Sequence, residues 1–116
     1  MAKTVLVIED EGAIAEMLEM LLGNEGYTVR VARSGPEGLE RARTETPDLI
    51  TLDLALPGVD GRALLRALHA DGRVPILVIS AHPEVLAPAD RALAAAIIGK
   101  PFDIDDMLAS VAGLLH

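Results

Sequence analysis

Apolar residues along this chain fall in short blocks of two kinds, and the difference between the two predicts most of the architecture. In residues 3–8, Val5, Leu6, Val7 and Ile8 follow one another with no polar break, as in a parallel strand covered on both faces. Glu9-Asp10-Glu11 ends that block. From Ile14 the apolar positions recur at Met17, Leu18, Leu21 and Leu22, the spacing of one helix face, and Gly23 and Gly26 close the helix. Residues 27–32 predict a second strand. Ser34, Pro36 and Glu37 supply a capping hydroxyl, a first-turn proline and a capping-box acid for a second, more polar helix.

Pro47 breaks that pattern, and residues 48–53 predict a third strand ending on the carboxylate of Asp53. A turn-rich loop over 57–61 leads to a helix carrying Leu64, Leu65 and Leu68 and running up to Gly72. Residues 74–79 predict a fourth strand that ends at Ser80. An Ala-rich helix is expected over about 88–95, with Pro83 and Pro88 keeping it short or ragged. Residues 96–99 supply a brief fifth strand, and Asp103 caps a last helix with Ile104, Met107, Leu108, Val111, Leu114 and Leu115 on one side. Strands alternating with helices in this way predict an α/β fold: a single-domain, doubly wound, five-stranded parallel sheet with five helices on its two faces. Residues 1–116 read as one domain, with no repeat, linker or second unit.

Composition narrows the functions open to such a domain. Hydrophobic residues make up 51% of the chain, enough for a core. The aromatics are only Tyr27 and Phe102, so there is no row of rings on which bases could stack. A net charge of −8 repels phosphate backbones, which argues against direct nucleic-acid contact. The chain has no cysteine, so disulfides, thiolate chemistry and cysteine metal sites are excluded. The first apolar run is too short for a signal peptide or a membrane span, which makes the cytoplasm the expected compartment.

In an open parallel α/β sheet, ligands bind beyond the carboxyl ends of the strands. Those ends carry Glu9-Asp10, Asp53, Ser80 and Lys100. Singly, each has an ordinary explanation: a solvated acidic turn, a strand-terminating Asp, a turn hydroxyl, a surface ammonium. Together they offer carboxylates for a hard cation, a carboxylate nucleophile, and a hydroxyl and an ammonium for phosphoryl oxygens. Acids converging without compensation would repel one another, and Mg²⁺ would keep them ionised.

The segments Val7-Ile8-Glu9-Asp10-Glu11, Leu52-Asp53-Leu54-Ala55-Leu56-Pro57-Gly58-Val59-Asp60-Gly61, Ile79-Ser80-Ala81 and Lys100-Pro101-Phe102 occur in the order seen in receiver domains of two-component response regulators. The chain resembles that flavodoxin-like family over essentially its whole length. The resemblance implies a phosphoacceptor signalling domain rather than an enzyme. Asp53 would take a phosphoryl group from a histidine kinase or a histidine phosphotransfer protein. It further implies that Glu9, Asp10, Asp53 and the main-chain carbonyl of Ala55 hold Mg²⁺, and that Ser80 and Lys100 contact phosphoryl oxygens. The Lys100-Pro101 bond is similar to one that is cis in the family. Ala55 and His82 stand where the family tunes the lifetime of the acyl phosphate, although an exposed loop histidine is the plainer reading of His82. His69 and His116 are less informative, and Met17, Met20 and Met107 fit helix packing.

The chain departs from the family at Ile97, three residues before Lys100, where an aromatic ring usually accompanies the switch. Ala94-Ala95-Ala96 also replaces a common Gly-Ala step. The downstream partner is a protein target or an output domain beyond His116, and a homodimer through the last helices is compatible with the pattern. A phosphorylation-independent pseudo-receiver, acting as an interaction module, is the alternative; its usual mark, loss of the acceptor or of the acids, is missing here. An aspartyl phosphatase of the Asp-x-Asp kind lacks its second acid at Ala55. A flavoprotein would want Ser, Thr or Gly amides where Glu9-Asp10-Glu11 stands.

Overall fold

The computed structural model describes residues 2–72 and 74–115; Met1, Arg73 and His116 lie outside the described residues, and with them the reading of His116. Five strands, β1 (Thr4–Ile8), β2 (Thr28–Ala32), β3 (Leu49–Leu52), β4 (Ile76–Ser80) and β5 (Ala96–Gly99), form one parallel sheet in the order β2-β1-β3-β4-β5. Helices α1 (Gly12–Asn24), α2 (Gly35–Glu45), α3 (Gly61–Asp71) and α4 (Pro88–Arg91) connect them, and α5 (Ile104–Leu114) follows β5. Strand order reverses between β1 and β3, so the crevice rule places the ligand beyond their carboxyl ends.

The period of two along each strand sorts the core into two halves. Leu6, Ile8, Ile50, Leu52, Ile76 and Val78 face Leu64, Leu65 and Leu68 of α3, with Leu39 and Ala42 of α2 against them. Val5, Val7, Leu49, Leu77 and Ile79 face Leu18 and Leu22 of α1 and Met107 and Val111 of α5. The inner strands β1, β3 and β4 are therefore almost wholly buried, whereas the edge strand β2 alternates, exposing Thr28 and Arg30. The helix ends follow the chemistry expected of them. Ser34 accepts the Glu37 N–H at α2, and Asp103 accepts the Asp106 N–H at α5. Gly61 is required by packing, since a Cβ there would strike the main-chain carbonyl of Leu54.

The fourth helix differs in length from the expectation. It is a single turn, Pro88–Arg91, preceded by a 3-10 turn at Pro83–Val85, and 92–95 leave the helix. The physical reason is that the Ala95 N–H is taken by the carbonyl of Ile76 at 2.8 Å, drawing the chain into β5 before a second turn can form. Asp53 stands one residue past β3, its N–H held by the carbonyl of Ile8 at 3.2 Å.

Candidate functional site

Main-chain bonds between neighbouring strands bring the chemistry together at the carboxyl end of the sheet. The Glu9 N–H donates to the Ala32 carbonyl at 3.0 Å, the Asp53 N–H to Ile8, and the Lys100 N–H to the Ser80 carbonyl at 2.8 Å. Each functional side chain thus leaves a strand end whose height is set by the sheet.

Glu9, Asp10 and Asp53 each present a carboxylate oxygen within 4.8 Å of the others. Glu9 and Asp53 are buried, at 2% and 7% exposure, while Asp10 is half-buried. Lys100 is the ammonium among them. Its Nζ donates to Glu9 Oε1 at 2.8 Å and to Asp53 Oδ2 at 3.3 Å. The other oxygen of Asp53 accepts the Ala55 N–H at 3.0 Å, and the other oxygen of Glu9 accepts the Glu11 N–H at 3.3 Å. The carboxylate of Asp10 accepts no hydrogen bond among the described residues.

Burial lifts the Glu9 carboxyl above its ordinary value; the hydrogen bond from Lys100 opposes this and the neighbouring Asp53 adds to it. Burial pulls the Lys100 ammonium down, but its bond to Glu9 and the charges of Asp53 and Glu9 outweigh that and leave it above its ordinary value. Three acids facing one ammonium make a set of hard oxygen donors with negative charge in excess, the donor chemistry of a Mg²⁺ or Ca²⁺ site.

The remaining residues singled out from the sequence are spread around this cluster. Ser80 is buried at the end of β4, and its Oγ accepts the His82 N–H at 3.2 Å. No hydrogen bond joins it to Asp53, Glu9 or Lys100 among the described residues. The Lys100–Pro101 peptide is cis. Ala55 is exposed beyond the acids. His82 is an exposed loop side chain, its Nδ1 3.3 Å from Glu84 Oε1. Ile97 pairs with Val78 and packs half-buried against the α3 side of the core, so it occupies the sheet without the reach of a ring.

Two polar contacts, one at the site and one between α3 and α4, were not legible in the motifs. Arg33, the residue after β2, donates from Nη2 to the main-chain carbonyl of Asp10 at 2.6 Å. Arg66 on α3 holds Asp90 on α4 in a two-pronged ion pair, both bonds 2.8 Å. The signal for Arg33 was its position at a strand's carboxyl end, the edge already selected by topology. Arg66 carries no such signal, because its partner lies 24 residues away on an element too short for periodicity.

The model of the response regulator receiver domain family matches residues 5–112. The response regulator ArlR of Staphylococcus saprophyticus is 36% identical over 115 residues, covering 97% of this chain and 52% of the relative. The ArlR proteins of Staphylococcus aureus are 35% identical over the same span. The chain therefore spans about half the length of the curated relatives it matches. Among solved structures, the response regulator TrrA of Thermotoga maritima, in complex with Mg(2+)-BeF, superposes with a TM-score of 0.90 at 28% identity, covering 97% of this chain and 99% of that one. A CheY-like receiver domain protein from Methanospirillum hungatei superposes with a TM-score of 0.89 at 26% identity, covering 99% and 94%.

Proposed function

This chain belongs to the response regulator receiver domain family, and from that premise we propose that Asp53 is its phosphoacceptor, with Mg²⁺ held beside it by Glu9, Asp10, Asp53 and the main-chain carbonyl of Ala55. The observation that carries the reading is the gathering of three carboxylates within 4.8 Å, with one ammonium bonded to two of them. A bound Mg²⁺ supplies charge neutralisation to the acids and to the phosphoryl oxygens.

The donor is a phosphohistidine on a sensor kinase or a phosphotransfer protein. An oxygen of Asp53 bonds to phosphorus as the P–N bond breaks, and the departing imidazole takes its proton from water. No general base is needed, because the nucleophile is already a carboxylate; the work is positioning and charge. Lys100 moves its ammonium from the two carboxylates to a phosphoryl oxygen. Ser80 accepts from His82, which leaves its own O–H proton free to donate to another. The side chain of Ala55 offers no polar group at the mouth and His82 is drawn toward Glu84, so water reaches the acyl phosphate without an ordered side-chain partner there.

Phosphorylation favours another arrangement of the Ser80 loop and the last helices, and partner binding shifts by population. Residues 1–116 act as one receiver domain in the cytoplasm. The readout is a protein target, an output domain of a longer protein, or a homodimer through the last helices.

Beryllofluoride, a mimic of the phosphoryl group, tests this by amide NMR. With Mg²⁺ present, resonances around Asp53, Ser80 and Lys100 shift in the wild type and stay in place in Asp53→Asn. A spectrum unmoved in the wild type would overturn the reading and leave a phosphorylation-independent interaction module.

A further inference from the structure

The segment carrying Glu9-Asp10-Glu11 is bonded at both flanks, through the Glu9 N–H to Ala32 and the Glu11 N–H to the Glu9 carboxylate, but not at the Asp10 side chain between them. Glu11, the N-cap of α1, makes no side-chain capping bond, and α1 has no acid in its first turn. Glu9 is fixed by the Ala32 carbonyl and by Lys100, but the half-buried Asp10 beyond it receives no hydrogen bond on its carboxylate among the described residues. What holds Asp10 comes from another loop: the guanidinium of Arg33, 23 residues away, on its main-chain oxygen at 2.6 Å.

Arg33 is itself well founded. Its N–H donates to Glu37 Oε1 at 2.8 Å, and Ser34 Oγ accepts the Glu37 N–H at 3.3 Å, so the arginine main chain is fastened to the first turn of α2 one residue before the cap. Its guanidinium lies across Gly12, where a Cβ would stand 3.2 Å from Nη2. With no side chain at Gly12 the guanidinium lies there without the shift of a few tenths of an ångström that a Cβ would ask of it.

We infer that Arg33 is a positioning residue for the divalent cation: it tethers Asp10 through the main chain, so that a carboxylate with no hydrogen-bond partner of its own is nevertheless held where Glu9 and Asp53 converge. The inference rests on the proposed Mg²⁺ site, and it makes a prediction whose sign separates it from plain electrostatics. By charge alone, deleting a cation beside three acids strengthens the binding of a dication. Loss of a tether weakens it, and partners that orient metal ligands typically contribute about 10-fold or more in affinity.

Calorimetric titration of MgCl₂ into the metal-free chain distinguishes the two. Arg33→Ala is expected to weaken Mg²⁺ about 10-fold, and Arg33→Lys, with the charge kept and a shorter single donor, falls between it and the wild type. Gly12→Ala presses a methyl against the guanidinium, which must give by a few tenths of an ångström while keeping its charge, and should weaken Mg²⁺ in the same direction but by less than Arg33→Ala. In acetyl phosphate reactions the Mg²⁺ concentration at half-maximal rate rises in Arg33→Ala, while the rate at saturating Mg²⁺ is retained. Thermal midpoints in EDTA report whether each variant is folded; if Arg33→Ala is not, Arg33→Lys and Gly12→Ala decide. Unchanged or tighter Mg²⁺ binding in the folded variants overturns the tether and leaves the phosphoacceptor reading intact. A wild type that binds no Mg²⁺ overturns both.

Discussion

Lys100 meets two carboxylates with one charge, and the shorter of its contacts is to Glu9 rather than to Asp53. Glu9 has one methylene more than an aspartate, and that reach lets it compete for the ammonium while its other oxygen turns back to the Glu11 N–H. The ammonium is thus shared between the two carboxylates, and in the proposed reaction a phosphoryl group on Asp53 would have to draw it away from Glu9. A second residue-scale feature lies far from the chemistry. Thr46, the C-cap of α2, has φ of 42°, in the left-handed region that a β-branched residue enters at a cost. Thr46→Gly should raise the free energy of unfolding by about 0.5–1 kcal/mol, the left-handed penalty less the entropy a glycine loses on folding; urea denaturation reads it directly, and a drop in stability would contradict the strain. The sequence named Glu9, Asp53 and Lys100 because each follows a strand. It could not show that Lys100 favours Glu9, since that preference depends on side-chain reach between residues 91 apart in the chain.

At the scale of elements, α3 and α4 carry the consequences. The N-terminus of α3 comes so close to Leu54 that Gly61→Ala forces the backbone apart, and the variant should lose about 1–3 kcal/mol in urea denaturation. A neutral result would mean that the loop yields freely. The single turn of α4 is joined to α3 by the ion pair between Arg66 and Asp90. The Arg66 guanidinium holds the Asp90 carboxyl below its ordinary value of 3.8. A carboxyl depressed in the folded state contributes stability that is present above the unfolded value, here near pH 4, and lost as pH falls through the folded one. Arg66→Gln should therefore speed hydrogen exchange at the amides of Asp90, Arg91 and Ala92 at neutral pH, and the difference between variant and wild type should vanish in acid below the folded value. A difference independent of pH would contradict the pairing. The strands were legible as short apolar runs, and four of the helices from a repeating apolar face or, for α2, from its capping residues. The fourth helix was expected over about 88–95 and is shorter, because its length is decided by β5 capturing the Ala95 N–H.

Across the whole molecule, the two core halves hold a parallel sheet whose strands end at one edge, and that edge gathers acids contributed by the residues that follow β1 and β3. Folding therefore concentrates negative charge where the unfolded chain disperses it, so a cation that binds the cluster must stabilise the fold by mass action. MgCl₂ at a hundred times its dissociation constant should add about 2.7 kcal/mol to the free energy of unfolding, whereas NaCl at matched ionic strength should not; equal effects of the two salts would mean general screening rather than a site. The central claim is that this edge accepts a phosphoryl group on Asp53. Its most direct test is the intact mass of the chain after incubation with acetyl phosphate and Mg²⁺. The account predicts a single phosphoryl adduct on the wild type, lost in EDTA and lost in Asp53→Asn. An unmodified wild type, or an adduct undiminished in Asp53→Asn, would contradict it.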